Sequence, residues 1–274
     1  MSASARSTPA CLTPAAPSRP RAVAFALSDW WVLTQRNLLR YVRIPSLLVL
    51  STIQPIVLVI LFSQVFGGAL SPRLGVDYID YLLPGIYLQS VLFGTNQTAV
   101  GLARDASDGL IDRFRSLPMA RSAVLAGRTL SDVGRNLFVV VLMTGVGYLL
   151  GFRIATGPGQ ALAALAVIVL FGFAFSWVMA TIGLTIRDVE SAQTAGFLWL
   201  FPLIFASSVF VPVDTMPDWL RAFAEVSPVS ATADAVRALV LGGPAAGPVL
   251  ASLAWSAGIL AVFMPLASWR FRRS

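Results

Sequence analysis

The 274-residue chain contains no histidine, no lysine and a single cysteine, and only 12% of its residues are charged. Each shortage excludes a class of chemistry. Without histidine there is no Ser/His/Asp triad and no histidine-based zinc site. Without lysine there is no Gly-Lys-Ser/Thr end to a phosphate-cradling loop, so the chain cannot carry a P-loop nucleotide site of its own. Cys11 has no second cysteine with which to form an intrachain disulfide or a cysteine metal site. No pair of carboxylates carries a glycosidase-like signal. The expectation is a chain that is not an enzyme and binds no metal or cofactor itself.

What is present is apolar surface. At 57% hydrophobic residues and a mean hydropathy of +0.77, the chain has too few charges to cover a soluble domain of its length. It reads as an integral membrane protein. The net charge of +7 rests entirely on arginine, and those arginines flank apolar runs, which is a membrane-orientation pattern and not a nucleic-acid one. No nucleic-acid partner is expected.

Along the chain, residues 1–24 are rich in Ser, Ala, Pro and Arg with no apolar core of a signal peptide, and read as a cytoplasmic tail without structure. Residues 25–44 read as an amphipathic helix. Arg36, Arg40 and Arg43 fall on one side with Asp29, and Trp30, Trp31, Leu38 and Tyr41 fall on the other, which suits a helix lying among lipid headgroups. The same apolar face would also serve to pack against a helix bundle. Residues 45–274 hold six apolar runs, at about 46–66, 82–103, 133–152, 161–186, 192–211 and 249–269, each near the roughly 20 residues that cross a bilayer as helix. Arg135 and Asn136 lie inside the third and are expected to snorkel outward. The fold class is therefore an all-α membrane protein of six transmembrane helices, with an N-terminal interfacial helix and a short external helical cap before the last span.

Two features build that cap between Pro212 and Pro248. Pro217 opens a short helix with Trp219, Leu220 and Phe223 on one face and an Arg221/Glu225 pair four residues apart. A second is expected from an N-cap at Ser230 to the stop at Gly242 and Gly243. Their apolar faces fit either the outer leaflet or the flank of the bundle. Orientation follows from arginine counts: the tail and first helix, the Arg104–Arg135 interval, Arg187 and the C-terminus hold sixteen, against Arg73, Arg153, Arg221 and Arg237 on the other side. The positive-inside rule then places both termini in the cytoplasm.

The Arg104–Arg135 interval is the longest charged stretch between apolar runs. Within it Leu110, Ile111, Phe114 and Leu117 share one arc of a helical wheel, opposite Asp112, Arg113 and Arg115, and Pro118 ends the helix. Such a helix lies on lipid or docks in a groove of a soluble partner. Inside the spans are uncharged polar groups: Gln54 and Gln64 in the first, Gln89, Asn96, Gln97 and Thr98 in the second, Gln193 and Thr194 in the fifth. Gln54, Gln89, Asn96 and Gln97 are candidates for a substrate path, with interhelical hydrogen bonding an equal alternative. Every Asp and Glu falls in a loop or at a span edge, which argues against ion coupling through buried carboxylates. Energy for transport would have to come from another protein.

Two stretches carry a family likeness. DGLIDRFRSLPMARSAVLAGR, Asp108 to Arg128, has an acidic-glycine start, an arginine-rich helix and a Leu-Pro before the third span. FVPVDTMPDWLRAFAEVSPVSATADAVRALVLGG, Phe210 to Gly243, has Met-Pro-x-Trp-Leu, then Ser-Pro, then an Arg before Gly-Gly. In both, the chain resembles the membrane permease of type-2 ABC exporters, particularly those of the daunorubicin-resistance type. The resemblance implies a plasma-membrane permease working with an ABC ATPase subunit that binds ATP and Mg, and a second permease chain, taken as a homodimer partner. It implies that Leu110, Asp112, Arg113, Phe114, Arg115 and Leu117 form a helix coupled to that ATPase. The cargo does not come with the resemblance, and the expectation of an exported drug, lipid-like or other amphipathic molecule rests on the amides and aromatic residues of the spans. The competing expectation is a membrane anchor or assembly factor that recruits a soluble protein through the same loop without moving anything.

Overall fold

A computed structural model describes residues 45–108, 121–186 and 188–273. The interfacial set Trp30, Trp31, Arg36 and Arg40, and the coupling set Leu110, Asp112, Arg113, Phe114, Arg115 and Leu117, lie outside the described residues. The elements in chain order are α1 (Pro45–Leu74), α2 (Tyr78–Ser107), α3 (Arg121–Leu149), α4 (Pro158–Thr185), α5 (Val189–Phe205), a 3-10 turn (Val213–Thr215), α6 (Asp218–Val226), α7 (Pro228–Leu241) and α8 (Ala246–Arg273).

Local chemistry sets several of these ends. Pro158, whose ring presets φ and whose missing N–H is not needed in a first turn, opens α4 behind Gly157. Asp188 caps α5 by accepting from the Ser191 N–H at 2.7 Å, and hydrogen bonds from the Ser191 hydroxyl and then its N–H hold the exposed carboxyl below the usual carboxylate range. Gly242, at φ 93°, ends α7 in a backbone region that side-chain-bearing residues avoid. The N-cap of α7 is Ser227 and not Ser230, because Pro228 fixes the start of the helix one turn earlier. Ser230 is instead buried, and its hydroxyl accepts from the Ser208 N–H at 3.0 Å.

Each of the six apolar runs falls on a helix, but the helices differ in how they meet a membrane. Four segments are long and apolar enough to cross one: Thr52–Leu74, Thr129–Leu149, Pro158–Thr185 and Ala246–Phe271. The fifth run forms α5, apolar but only 17 residues long. The second forms α2, whose 30 residues include buried Gln89, Thr95, Asn96 and Thr98 and which is not among the four. α2 and α4 make the centre. α2 packs on α1, α3, α4, α5 and α7, and α4 packs on α2, α3, α5, α7 and α8. Where they cross, a Cβ on Gly183 would run into the backbone of Ala99, so only glycine lets the helices approach this closely. By contrast α1 and α8 turn most of their apolar residues outward, among them Val57, Leu61, Leu250 and Val262. That surface suits lipid or another protein better than water.

α6 and α7 lie between α5 and α8 in the chain. The Arg221/Glu225 pair forms as expected, at 2.8 Å on an exposed surface. α6 keeps Trp219 75% exposed and leaves Phe223 and Val226 exposed too, with Ala224 its buried residue. Its aromatic face is thus turned away from the bundle, which removes one of the two alternatives left open by its amphipathic pattern.

Arg237 of α7 is not an outward-facing charge but a buried one. Its Nε donates to Tyr81 O at 2.9 Å, one terminal nitrogen to the Asp234 carboxylate at 2.9 Å and Ser208 Oγ at 3.2 Å, and the other to Ser208 O at 2.6 Å and Val209 O at 3.1 Å. The guanidinium carbon lies 3.7 Å from the centre of the Tyr81 ring, within cation–π range. Tyr81 and Tyr78 donate in turn to Ser208 O and Phe210 O, each at 2.8 Å. The non-helical stretch after α5 is thereby tied to α2 and α7, its carbonyls satisfied by side chains where no helical partner exists. Gly85 completes the fit, since a Cβ there would strike the Val209 carbonyl.

Candidate functional site: a polar cavity among four helices

α1, α2, α3 and α5 enclose a cavity of about 140 Å³. Its polar lining is Gln54, Gln89, Ser90, Gln97 and Arg135, and its apolar lining includes Leu58, Phe93, Val139 and Phe197. The structure therefore brings together three of the four residues expected on a substrate path. Gln54 and Gln97 are exposed at the rim, whereas Gln89 is buried. The fourth, Asn96, is elsewhere: its amide donates to Gln193 O at 3.3 Å, and its oxygen is enclosed against Gly196 of α5 without a hydrogen-bond partner. Asn96 serves the α2/α5 contact, because its position on α2 turns it to a different flank from Gln89 and Gln97. Gln64, Gln193 and Thr194 are exposed and take no part in the cavity.

Arg135 is the residue that reasoning from sequence misassigned. It does not snorkel. It is 5% exposed, with one terminal nitrogen donating to Gly94 O at 2.7 Å and the other to Asn136 Oδ1 at 2.9 Å. Gly94 makes this possible, since a Cβ there would occupy the place of the guanidinium. The bend toward the core follows from the surroundings. Asn136, itself buried, and the helix carbonyl offer Arg135 polar partners inside the bundle, so it need not reach for an interface. An arginine next to an asparagine inside an otherwise apolar run was the available signal.

A second polar group sits one turn from it. Asp132, also buried, accepts from Thr98 of α2 and from Ser176 of α4, the latter at 3.3 Å. Asp132 lies in the first turn of the apolar stretch Thr129–Leu149, at the edge where a carboxylate was expected, yet it is buried among helices and not in water. α3 begins at Arg121, so Asp132 is well inside the helix and meets two neighbours there. Buried groups of this kind need partners to avoid a desolvation cost of several kcal/mol, on the order set by apolar-transfer data, and Asp132 has them.

The site contains no catalytic constellation: the cavity lining is amides, one hydroxyl, one guanidinium and apolar side chains. Among the described residues no group of His, Cys, Asp and Glu is arranged to hold a metal. What the arrangement supplies is a semi-polar recess between helices.

The model of the ABC-2 type transporter family matches residues 28–241. The daunorubicin resistance ABC transporter permease protein DrrB1 of Streptomyces coeruleorubidus is 36% identical, over 93% of this chain and 89% of its own length. The probable doxorubicin resistance ABC transporter permease protein DrrC of Mycobacterium tuberculosis is 29% identical, over 92% of this chain and 91% of its own. The inner membrane transport permease YadH of Escherichia coli is 22% identical, over 74% and 78%. The family match spans every helix that lines the cavity and ends with α7, and on that breadth the chain belongs to the ABC-2 type transporter family, as a multi-pass transmembrane subunit.

Proposed function

We propose that the chain is the permease subunit of an ATP-driven exporter, moving an amphipathic drug, a lipid-like molecule or another hydrophobic cargo out of the cytoplasm. The observation that carries this reading is the semi-polar cavity between α1, α2, α3 and α5 in a chain of this family. It offers hydrogen bonds and aromatic walls with a single fixed charge, which fits an amphipathic cargo. The names of the drug-resistance relatives support the same class of cargo. Because a chain without lysine cannot hold a P-loop, ATP and Mg belong to a separate ABC ATPase subunit. The working unit is two permease chains, taken as identical, with their ATPases in the plasma membrane. In it all six apolar runs span, α2 and α5 included, their polar or short helices shielded by neighbours. Residues 25–44 lie in the headgroup layer, and α6 rests its Trp219 face in the outer leaflet.

Orientation is testable directly. In a Cys11→Ser background, single cysteines at Ser107 and Asp218 should label from opposite sides, with Asp218 reactive toward an impermeant reagent in intact cells and Ser107 reactive after permeabilisation. Equal labelling in intact cells would sink the six-span arrangement.

Coupling to the ATPase is assigned to the face formed by Leu110, Phe114 and Leu117, with Asp112, Arg113 and Arg115 at its rim. Burying one Phe side chain contributes about 1.5–3 kcal/mol, and Phe114→Asp also places a charge in the groove, so affinity for the ATPase should fall at least roughly tenfold. Arg113→Ala should do less, being a screened rim charge. Copurification in detergent and stimulation of ATP hydrolysis measure this. A Phe114→Asp permease that retains its ATPase as wild type does would remove the docking role and favour a lipid-lying helix.

A further inference from the structure

The cavity holds two buried polar side chains with unused hydrogen-bonding atoms. Arg135 spends both terminal nitrogens on neutral partners, the Gly94 carbonyl and the Asn136 amide, while its Nε is enclosed and bonded to nothing. Gln89, 3% exposed, has its Oε1 in the same condition. Both residues line the one recess. A guanidinium is a permanent cation, and neutral oxygens satisfy its geometry without balancing its charge. The nearest carboxylate on α3, Asp132, is taken by Thr98 and Ser176, so among the described residues Arg135 has no ion-pair partner at the recess, and with Gln89 beside it the lining matches a ligand that brings an anionic oxygen to Arg135 and a hydroxyl to Gln89.

The rest of the recess specifies what is attached to that group. Phe93 and Phe197, with ring centres 5.6 Å apart, form a wall together with Leu58 and Val139. Phe197 is half-exposed, so this wall continues to the surface of the bundle. There Ile53, Val57 and Leu61, spaced four residues apart on α1, and Phe201 on α5 are all exposed. A space of this size accepts a group comparable to benzene, enough for a phosphate or similar head but not for a chain. The chain would lie outside, along the exposed apolar faces.

We propose that the cavity is a binding site for the acidic, hydroxyl-bearing head of an amphiphile, held by Arg135 and Gln89 with its apolar tail on α1 and α5. The head chemistry is shared by an anionic phospholipid and by an acidic single-chain amphiphile arriving as cargo. The site deepens the permease reading by naming a class of ligand. Binding is measured on the permease alone, so its failure leaves the ATPase partnership intact, and loss of ATPase coupling leaves this site intact.

The test uses the full chain purified in an uncharged maltoside detergent doped with equal amounts of phosphatidylglycerol and phosphatidylcholine, with retained lipid read by native mass spectrometry. Dodecyl phosphate, dodecanol and inorganic phosphate serve as competitors. Wild type should retain phosphatidylglycerol over phosphatidylcholine, or bind dodecyl phosphate over dodecanol, by at least roughly tenfold, while inorganic phosphate at equal concentration should compete with neither. Retained phosphatidylglycerol identifies a lipid source, and dodecyl phosphate binding without it identifies an acidic cargo. Arg135→Gln should abolish the preference and Arg135→Lys should keep part of it. Gln89→Leu, which leaves the charge in place, should weaken retention severalfold and serves if Arg135→Gln does not fold. Equal retention of charged and uncharged amphiphiles by wild type, or an unchanged preference in Arg135→Gln or Gln89→Leu, would overturn the proposal.

Discussion

Replacing Arg237 by alanine should cost about 3–5 kcal/mol, the range found when one member of a buried charged network is removed. The loss is not mainly that of the ion pair with Asp234, whose side chain is 48% exposed. It comes from the buried, non-helical carbonyls of Ser208 and Val209: Val209 O loses its Arg237 donor, and Ser208 O is left with the Tyr81 hydroxyl. Hydrogen bonds to a charged group contribute about 1.5–3 kcal/mol each, and an abandoned buried acceptor incurs a desolvation penalty of similar size. The stretch that follows α5 would separate from α2, taking the Tyr78 and Tyr81 contacts with it. Thermal denaturation in detergent, followed by loss of the monodisperse gel-filtration peak, should show a large downward shift. Arg237→Lys should recover only a part, since a point charge cannot serve five acceptors held in the fork of a guanidinium. An alanine variant that melts within a degree or two of wild type would mean that the latch is not what holds this segment.

Gly183→Leu should be the most damaging change available at a helix crossing. Its Cβ would meet the backbone of Ala99, with the Ala99 Cα 2.8 Å away and its carbonyl carbon 2.9 Å away. Backbone cannot yield as a side chain does, so α2 and α4 must separate, and these two helices touch nearly every other element. Overpacking of a good core costs about 1–3 kcal/mol, and a clash with backbone at the central pair belongs at the upper end. Gly67 of α1 provides the control: a Cβ there meets nothing within 4 Å, and Gly67→Ala should be neutral or stabilising by about 0.5–1 kcal/mol through helix propensity. Folded yield after membrane extraction, compared for Gly183→Leu, Gly183→Ala and Gly67→Ala, should fall in that order of severity. Equal yields for Gly183→Leu and Gly67→Ala would show that the α2/α4 crossing is looser than this geometry.

The sequence was informative where one residue or one local pattern decides the outcome. Pro158, Asp188 and Gly242 mark helix ends whatever surrounds them, and Arg221 and Glu225 meet because four residues make one turn of helix. It was less informative at Ser230, where a plausible cap lost to Pro228, and silent on the Arg237 latch, which joins residues more than 150 positions apart.

Composition by itself determined that this chain is a membrane protein without a P-loop, because hydropathy and the absence of lysine are sums over residues that no folding can alter. Periodicity and local spacing determined that its apolar runs are helical, while the helices extend past the runs at several ends, to Leu74 in α1 and back to Arg121 in α3. Only the tertiary structure decided which polar residues face one another. Gln54, Gln89 and Gln97 share a cavity while Asn96, adjacent to Gln97 in the chain, points to α5, a distinction made by about 100° of rotation between successive helix positions and by which neighbour occupies each flank. The fate of Arg135, Asp132 and Arg237 was likewise tertiary. A charge inside an apolar run turns outward or inward according to the partners that other helices bring to it, and those partners are distant in sequence.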